Sequence, residues 1–267
     1  MWTIIWRTLK DKKISVAVYC LAATFFMWMY VALFPTVQQE AESFNQVLEN
    51  YPADFLKAFN IQEMSFDTIE KFLAIENYSI IWPIMALFMV VAFAGNAIAR
   101  EIEKGTAEIL LARPISRLKL FFSRYLAGLA VLVLFSAVSV FSIIPFAEMY
   151  KVEYIPENQL AIAVICFLFG WAVYSLAMMF SAIFSEKSRV YMATGGILIL
   201  MYVINIIVAF KENLENLKYF SFFYYYDFNQ AIIHGELNTT AVVLFASVAV
   251  ACMAAGAVWF EKRDIAV

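Results

Sequence analysis

The segment Arg100 to Lys119, REIEKGTAEILLARPISRLK, gathers the residues of this chain best suited to chemistry with another molecule. Arg100, Glu101, Glu103, Lys104, Glu108, Arg113, Arg117 and Lys119 mix both signs of charge, so the chemistry on offer is charge-assisted hydrogen bonding to a complementary surface. Gly105 is placed to break one helix, and Thr106 to cap a short new one with Glu108 in its first turn, where the helix dipole favours an anion. Ile109, Leu110 and Leu111 then give an apolar face, Pro114 ends the turn, and Ser116 caps the next helix. A charge run is also what a solvated face looks like, so docking and plain solvation are both open on these residues alone. Bond-making chemistry has little to build on. His234 is the single histidine, and Cys20, Cys166 and Cys252 all fall in apolar runs without CxxC spacing, which reads as packing. No Gly-x-x-x-x-Gly-Lys-Ser/Thr phosphate loop occurs.

What must hold this segment is a membrane bundle. With 64% hydrophobic and 15% charged residues, the chain has too little polar surface for a soluble domain of 267 residues. Uncharged apolar runs span 14–34, 78–99, 125–147, 160–184, 190–210 and 239–260, each reaching the roughly 18 residues a crossing helix needs. Each backbone amide in hydrocarbon has to be paired within its segment, and the alternating strands of a barrel are absent, so the expected class is all-α and polytopic. No linker or repeat divides the chain, which reads as a single transmembrane domain over 1–267. The eight charges of the 100–119 segment cost about 2.5 to 3.5 kcal/mol each at the centre of a bilayer, so the segment must face water.

Charge sets the expected orientation. With both termini and the 100–119 loop inside, 14 of 19 Lys and Arg residues lie inside and 15 of 22 carboxylates outside, leaving about +7 on one face and −10 on the other. The first apolar run is longer than a signal-peptide core and lacks a small-residue cleavage pattern, so it is expected to be retained. Ahead of it, Trp2, Ile5, Trp6 and Leu9 recur at helical spacing, which predicts an interfacial elbow helix over 1–13; a charged start to the first span is the other reading. The outer loop 35–77 has helical apolar spacing at Phe44, Val47, Leu48 and Tyr51 and again at Phe55, Leu56 and Phe59, with Ser65 and Asp67 as caps for a turn through Phe66, Ile69, Phe72 and Leu73. Substrate exit, an accessory partner and a lid over the spans are all open for it. Segment 211–238 carries an aromatic block from Tyr219 to Phe228, suited to the headgroup boundary.

The order of these parts resembles permease subunits of the ABC-2 family of ATP-driven exporters. The features that carry it are the amphipathic start, the long first outer loop, the Glu-x-Glu-Lys-Gly-Thr-x-Glu to Arg-Pro-x-Ser-Arg inner loop, and the ending Trp259-Phe260-Glu261-Lys262-Arg263-Asp264. The resemblance implies six spans, a coupling helix between the second and third, and an outer hairpin over 211–238 with half-helices beside the path. An aromatic belt is the plainer reading of that hairpin. It further implies a second permease half and cytosolic ATPase subunits that carry the ATP and Mg, with no cofactor in this chain and no nucleic-acid partner. Residues implied in ATPase coupling are Glu101, Glu103, Gly105, Thr106, Glu108, Ile109, Leu110, Pro114 and Arg117. The expected location is the plasma membrane, surrounded by lipid, with both termini cytoplasmic. A non-ABC transporter or channel is the alternative, but the spans hold no charged or histidine residue, Asn96 and Asn205 being the most polar. An enzyme would need a catalytic set within the spans, and none is visible.

Overall fold

The computed structural model describes residues 1–41, 65–106 and 115–264. It is all-helical among those residues, with six helices long and apolar enough to cross a membrane.

Helix α1, Trp2–Gln39, runs unbroken through the first span. The elbow expected over 1–13 is therefore not a separate element, and the physical reason is local: no glycine or proline occurs between Trp2 and Phe34 to interrupt the hydrogen-bond ladder. At about 57 Å it exceeds a hydrocarbon core, so both ends extend beyond it. The helical turns expected over 44–59 lie outside the described residues. The next helix, α2 (Ile69–Leu73), is capped by the Thr68 hydroxyl, which accepts from the Lys71 amide, whereas the Ser65 hydroxyl accepts from the Asp67 amide before the helix begins. Thr68, not Ser65 or Asp67, thus starts this turn.

A π-helical segment, Ala74–Ile81, joins α2 to α3 (Trp82–Gly95), so the second span begins nearer the loop than the apolar run predicts. Pro83 cannot donate to the preceding turn, and the Trp82 amide reaches back five residues to the Asn77 carbonyl. Helix α4 (Ala99–Glu103) follows a break at Asn96–Ile98 and ends at Gly105, whose φ of 68° favours glycine. The third span is α5 (Arg117–Phe141) plus α6 (Ile143–Tyr150), interrupted at Ser142 because Pro145 leaves the Phe141 carbonyl without its helical donor. The remaining spans are α7 (Asn158–Ile183), α8 (Lys187–Phe210) and α11 (Thr239–Lys262). Between the last two lie a 3₁₀ segment, Glu212–Phe220, and short helices α9 (Phe222–Tyr225) and α10 (Phe228–Ile233).

Helix α7 is the axle of the bundle. It packs most extensively on α11 and also on α3, α5, α8 and α10. Gly256 brings α11 close enough that a Cβ there would meet Met179 Cα at 3.0 Å. The aromatic block of 211–238 divides in two: Phe222, Tyr226 and Phe228 are buried, with Tyr226 4.7 Å from Phe169 between ring centroids, while Tyr219 and Phe220 stay exposed. At this end the Asn158 side chain donates to the carbonyls of Ile232 and Ile233, both at 2.9 Å, tying α10 to the start of α7.

Candidate functional site at the basic end of the bundle

Three of the residues singled out in the inner loop, Glu101, Glu103 and Thr106, bond back to the helices or to one another. Glu101 on α4 forms a part-buried ion pair with Arg124 on α5 at 3.3 Å, and the same guanidinium donates to the Thr8 hydroxyl on α1 at 3.1 Å. Thr8 in turn donates to the Ile4 carbonyl. The Thr106 hydroxyl donates back to Glu101, to both its carboxylate and its carbonyl. One carboxylate therefore joins the loop, the third span and the first helix. Arg124 is positioned by its own backbone as well, because Tyr174 on α7 donates to the carbonyls of Arg124 and Tyr125 at 3.2 Å.

Glu103 does a different job. Its carboxylate accepts the Lys187 amide at 3.0 Å, capping the start of α8, where Glu186 provides no side-chain cap. An anion at that place also meets the positive end of the helix dipole. The break before α4 is closed from the bundle: the Ser181 hydroxyl of α7 accepts the amides of Ile98 and Ala99 at 3.3 and 3.1 Å. Gly95 lets α8 approach, since a Cβ there would meet the Tyr191 ring at 2.5 Å.

Arg117 opens α5 under a Ser116 cap, as its sequence predicts, and donates to the Arg263 carbonyl. Arg263 then caps the far end of α7, donating to the carbonyls of Ala182 (2.9 Å) and Phe184 (3.2 Å) and to the Ser185 hydroxyl. Burial lowers the pKa of this guanidinium from its ordinary value, and the three acceptors around it offset that cost. Both terminal regions thus meet the 100–124 segment at one end of the bundle.

Glu108, Ile109, Leu110 and Pro114 lie outside the described residues. The structure brings Glu101, Glu103, Gly105, Thr106 and Arg117 to one end but not into one cluster: Glu101 serves α1 and α5, Glu103 serves α8, and Arg117 serves α11. Sequence reasoning missed Thr8, Arg124, Ser181 and Arg263 in these roles. Arg124 carried a signal, being a cation directly before an apolar run; the serine and threonine carried none, because such residues are common in spans. Among the described residues no group of His, Cys, Asp and Glu is arranged to hold a metal, and the three cysteines are free thiols. What the arrangement can do is mechanical: a displacement of the loop pulls on three helices through charged bonds worth about 1.5 to 3 kcal/mol each. The sequence model of the family described as ABC-2 family transporter protein matches residues 2–265. Among curated proteins nothing matches.

Proposed function

Because the chain belongs to the ABC-2 transporter family, we propose that it is one permease half of an ATP-driven exporter in the plasma membrane, moved by a separate cytosolic ATPase. A second permease half, another copy or a similar chain, completes the path. Both termini and the 100–119 loop face the cytoplasm, and the ATP and Mg belong to the partner. The observation that carries the coupling part is the branching of the loop: Glu101 leads through Arg124 to α1 and α5, and Glu103 leads to the first amide of α8. In this reading Glu108, Ile109 and Leu110 dock on the ATPase, while Glu101 and Glu103 pass its movement to the spans.

The two roles separate by mutation. Glu108→Ala and Ile109→Asp should release the ATPase from purified complexes, since truncating a carboxylate paired in a partner groove costs roughly 2 to 5 kcal/mol. Glu101→Gln should keep the ATPase bound but lower substrate-stimulated hydrolysis. Glu42→Ala and Glu49→Ala should change neither. Unchanged retention and stimulation in all variants would make the loop a solvated connector. External labelling of a cysteine placed at Thr106 in a cysteine-free chain would reverse the orientation.

A further inference from the structure

At the end of the bundle away from the charged loop, three segments enclose a cavity of about 540 Å³: the last turns of α1, the start of α2 and the stretch 150–155 that follows α6. Its walls are fixed by bonds of their own. The Gln38 side chain donates to the Asp67 carbonyl at 2.9 Å, tying α1 to the turn before α2. Trp28 donates to the Tyr150 hydroxyl at 3.0 Å, which holds that side chain in place. Lys151, with a φ of 56°, reverses the chain after α6, and the Val152 amide closes the turn on the Ala147 carbonyl at 2.9 Å. Phe34, Tyr150 and Tyr154 give the cavity aromatic sides.

Glu70 lines this cavity at 4% exposure, and among the described residues it is the only charged one that is buried. One of its carboxylate oxygens accepts the Ile155 amide at 2.7 Å. Among the described residues the other oxygen has no hydrogen-bond partner, and no ion pair reaches the group. A buried carboxylate held by a single amide is short of compensation, and a cation in the cavity beside it supplies the rest. The other charges on the lining differ from it. Asp67 is paired with Lys71 at 3.3 Å, while Glu153 and Lys151 are exposed, one of each sign. The buried part of the cavity is therefore negative. Its volume falls in the range of roughly 300 to 1,000 Å³ that small organic ligands fill, far more than a bare ion occupies, and aromatic faces attract an ammonium group as well as an apolar body. We infer that the cavity binds a small organic cation, an amine with an apolar body, whose ammonium group pairs with Glu70 and whose body lies against Phe34, Tyr150 and Tyr154. The inference rests on this end of the bundle and not on ATPase coupling, so either can fail without the other.

The full chain in neutral detergent is titrated calorimetrically near neutral pH with phenethylamine, which is cationic there, and with phenethyl alcohol, its uncharged counterpart of like shape; empty micelles serve as the blank. The amine should bind at least about tenfold more tightly, the value of one charge-assisted hydrogen bond. Glu70→Gln keeps an oxygen for the Ile155 amide and should erase that preference while leaving the alcohol as it was. Glu153→Lys reverses an exposed charge and leaves the buried residues alone; it should weaken the amine about fivefold and not the alcohol. Equal affinity of the unmodified chain for the two probes overturns the inference, as does a Glu70→Gln chain that keeps the preference. Should Glu70→Gln not fold, an amine affinity unchanged in Glu153→Lys overturns it alone. Calcium chloride that binds where phenethylamine does not gives the cavity to a metal ion, and a lysine-rich peptide that does so gives it to a protein partner; each result overturns the inference.

Discussion

The fourth and fifth spans are comparably apolar runs, yet 78% of the fourth span's apolar window is buried in the bundle and only 11% of the fifth's. Lipid tails are as apolar as a leucine side chain, so hydropathy brings both helices into the membrane and does not choose between core and rim. What separates them is close packing and polar bonding. In α7, Ser175 shares a 2.6 Å hydrogen bond with Tyr125, Ser181 receives two amides from the start of α4, and Asn158 holds α10. In α8, Gly195 and Gly196 face open space, and Ile199 and Met192 are 67% and 76% exposed. The fifth span is held at its start by Glu103 on its first amide and by Tyr191 against Gly95, and further along by the Ser221 hydroxyl, which donates to the Met201 carbonyl at 2.8 Å, and by Tyr202 against the Phe223 ring.

The same substitution on either side of this divide should act oppositely. Gly128 lies so close to α7 that a Cβ would stand 2.1 Å from the Tyr174 hydroxyl, so Gly128→Leu must expel Tyr174 and break its bonds to two carbonyls. We expect a loss of about 3 kcal/mol or more, seen as failure to recover monodisperse protein or as a large drop in unfolding temperature. Ser181→Ala comes next. It strands two buried amides at the α4 start, which should cost about 2 kcal/mol in denaturant titration and speed hydrogen exchange at Ile98 and Ala99. Glu103→Ala removes one exposed cap from α8, so about 1 kcal/mol is expected, confined to faster exchange over the first turn from Lys187, and Glu103→Gln should restore most of it. Gly196→Leu should be the mildest, within about 1 kcal/mol of neutral and on the stabilising side, because it replaces a helix-weakening residue where nothing is displaced. A severe defect from Gly196→Leu in the isolated chain would break the comparison and place protein, not lipid, over the fifth span.

Much of the fold could be read from particular residues. The six apolar runs locate all six crossing helices, Ser116 caps the third, and Gly105 ends the helix after the second. The errors are of one kind. Tryptophan spacing predicts an elbow, but amphipathic spacing alone does not interrupt the hydrogen-bond ladder, and Trp2–Gln39 is one helix. Thr68 took the cap assigned to Ser65 or Asp67 because the backbone turn, not residue type, selects which hydroxyl faces the free amide. For the candidate site, Glu101 and Glu103 were legible as charged loop residues, but their partners lie 23 and 84 residues away, beyond the reach of any local pattern.

By itself the sequence determined that this chain is a membrane bundle of six helices with one basic end, because charge and hydropathy act through solvent and need no neighbours. Tertiary structure alone decided that α7 is central and α8 peripheral, and that Glu101 points to Arg124 while Glu103 points to the start of α8. Those choices turn on which backbones can approach and which buried amides and guanidinium groups need an acceptor. They exist only once helices distant in sequence have been brought side by side.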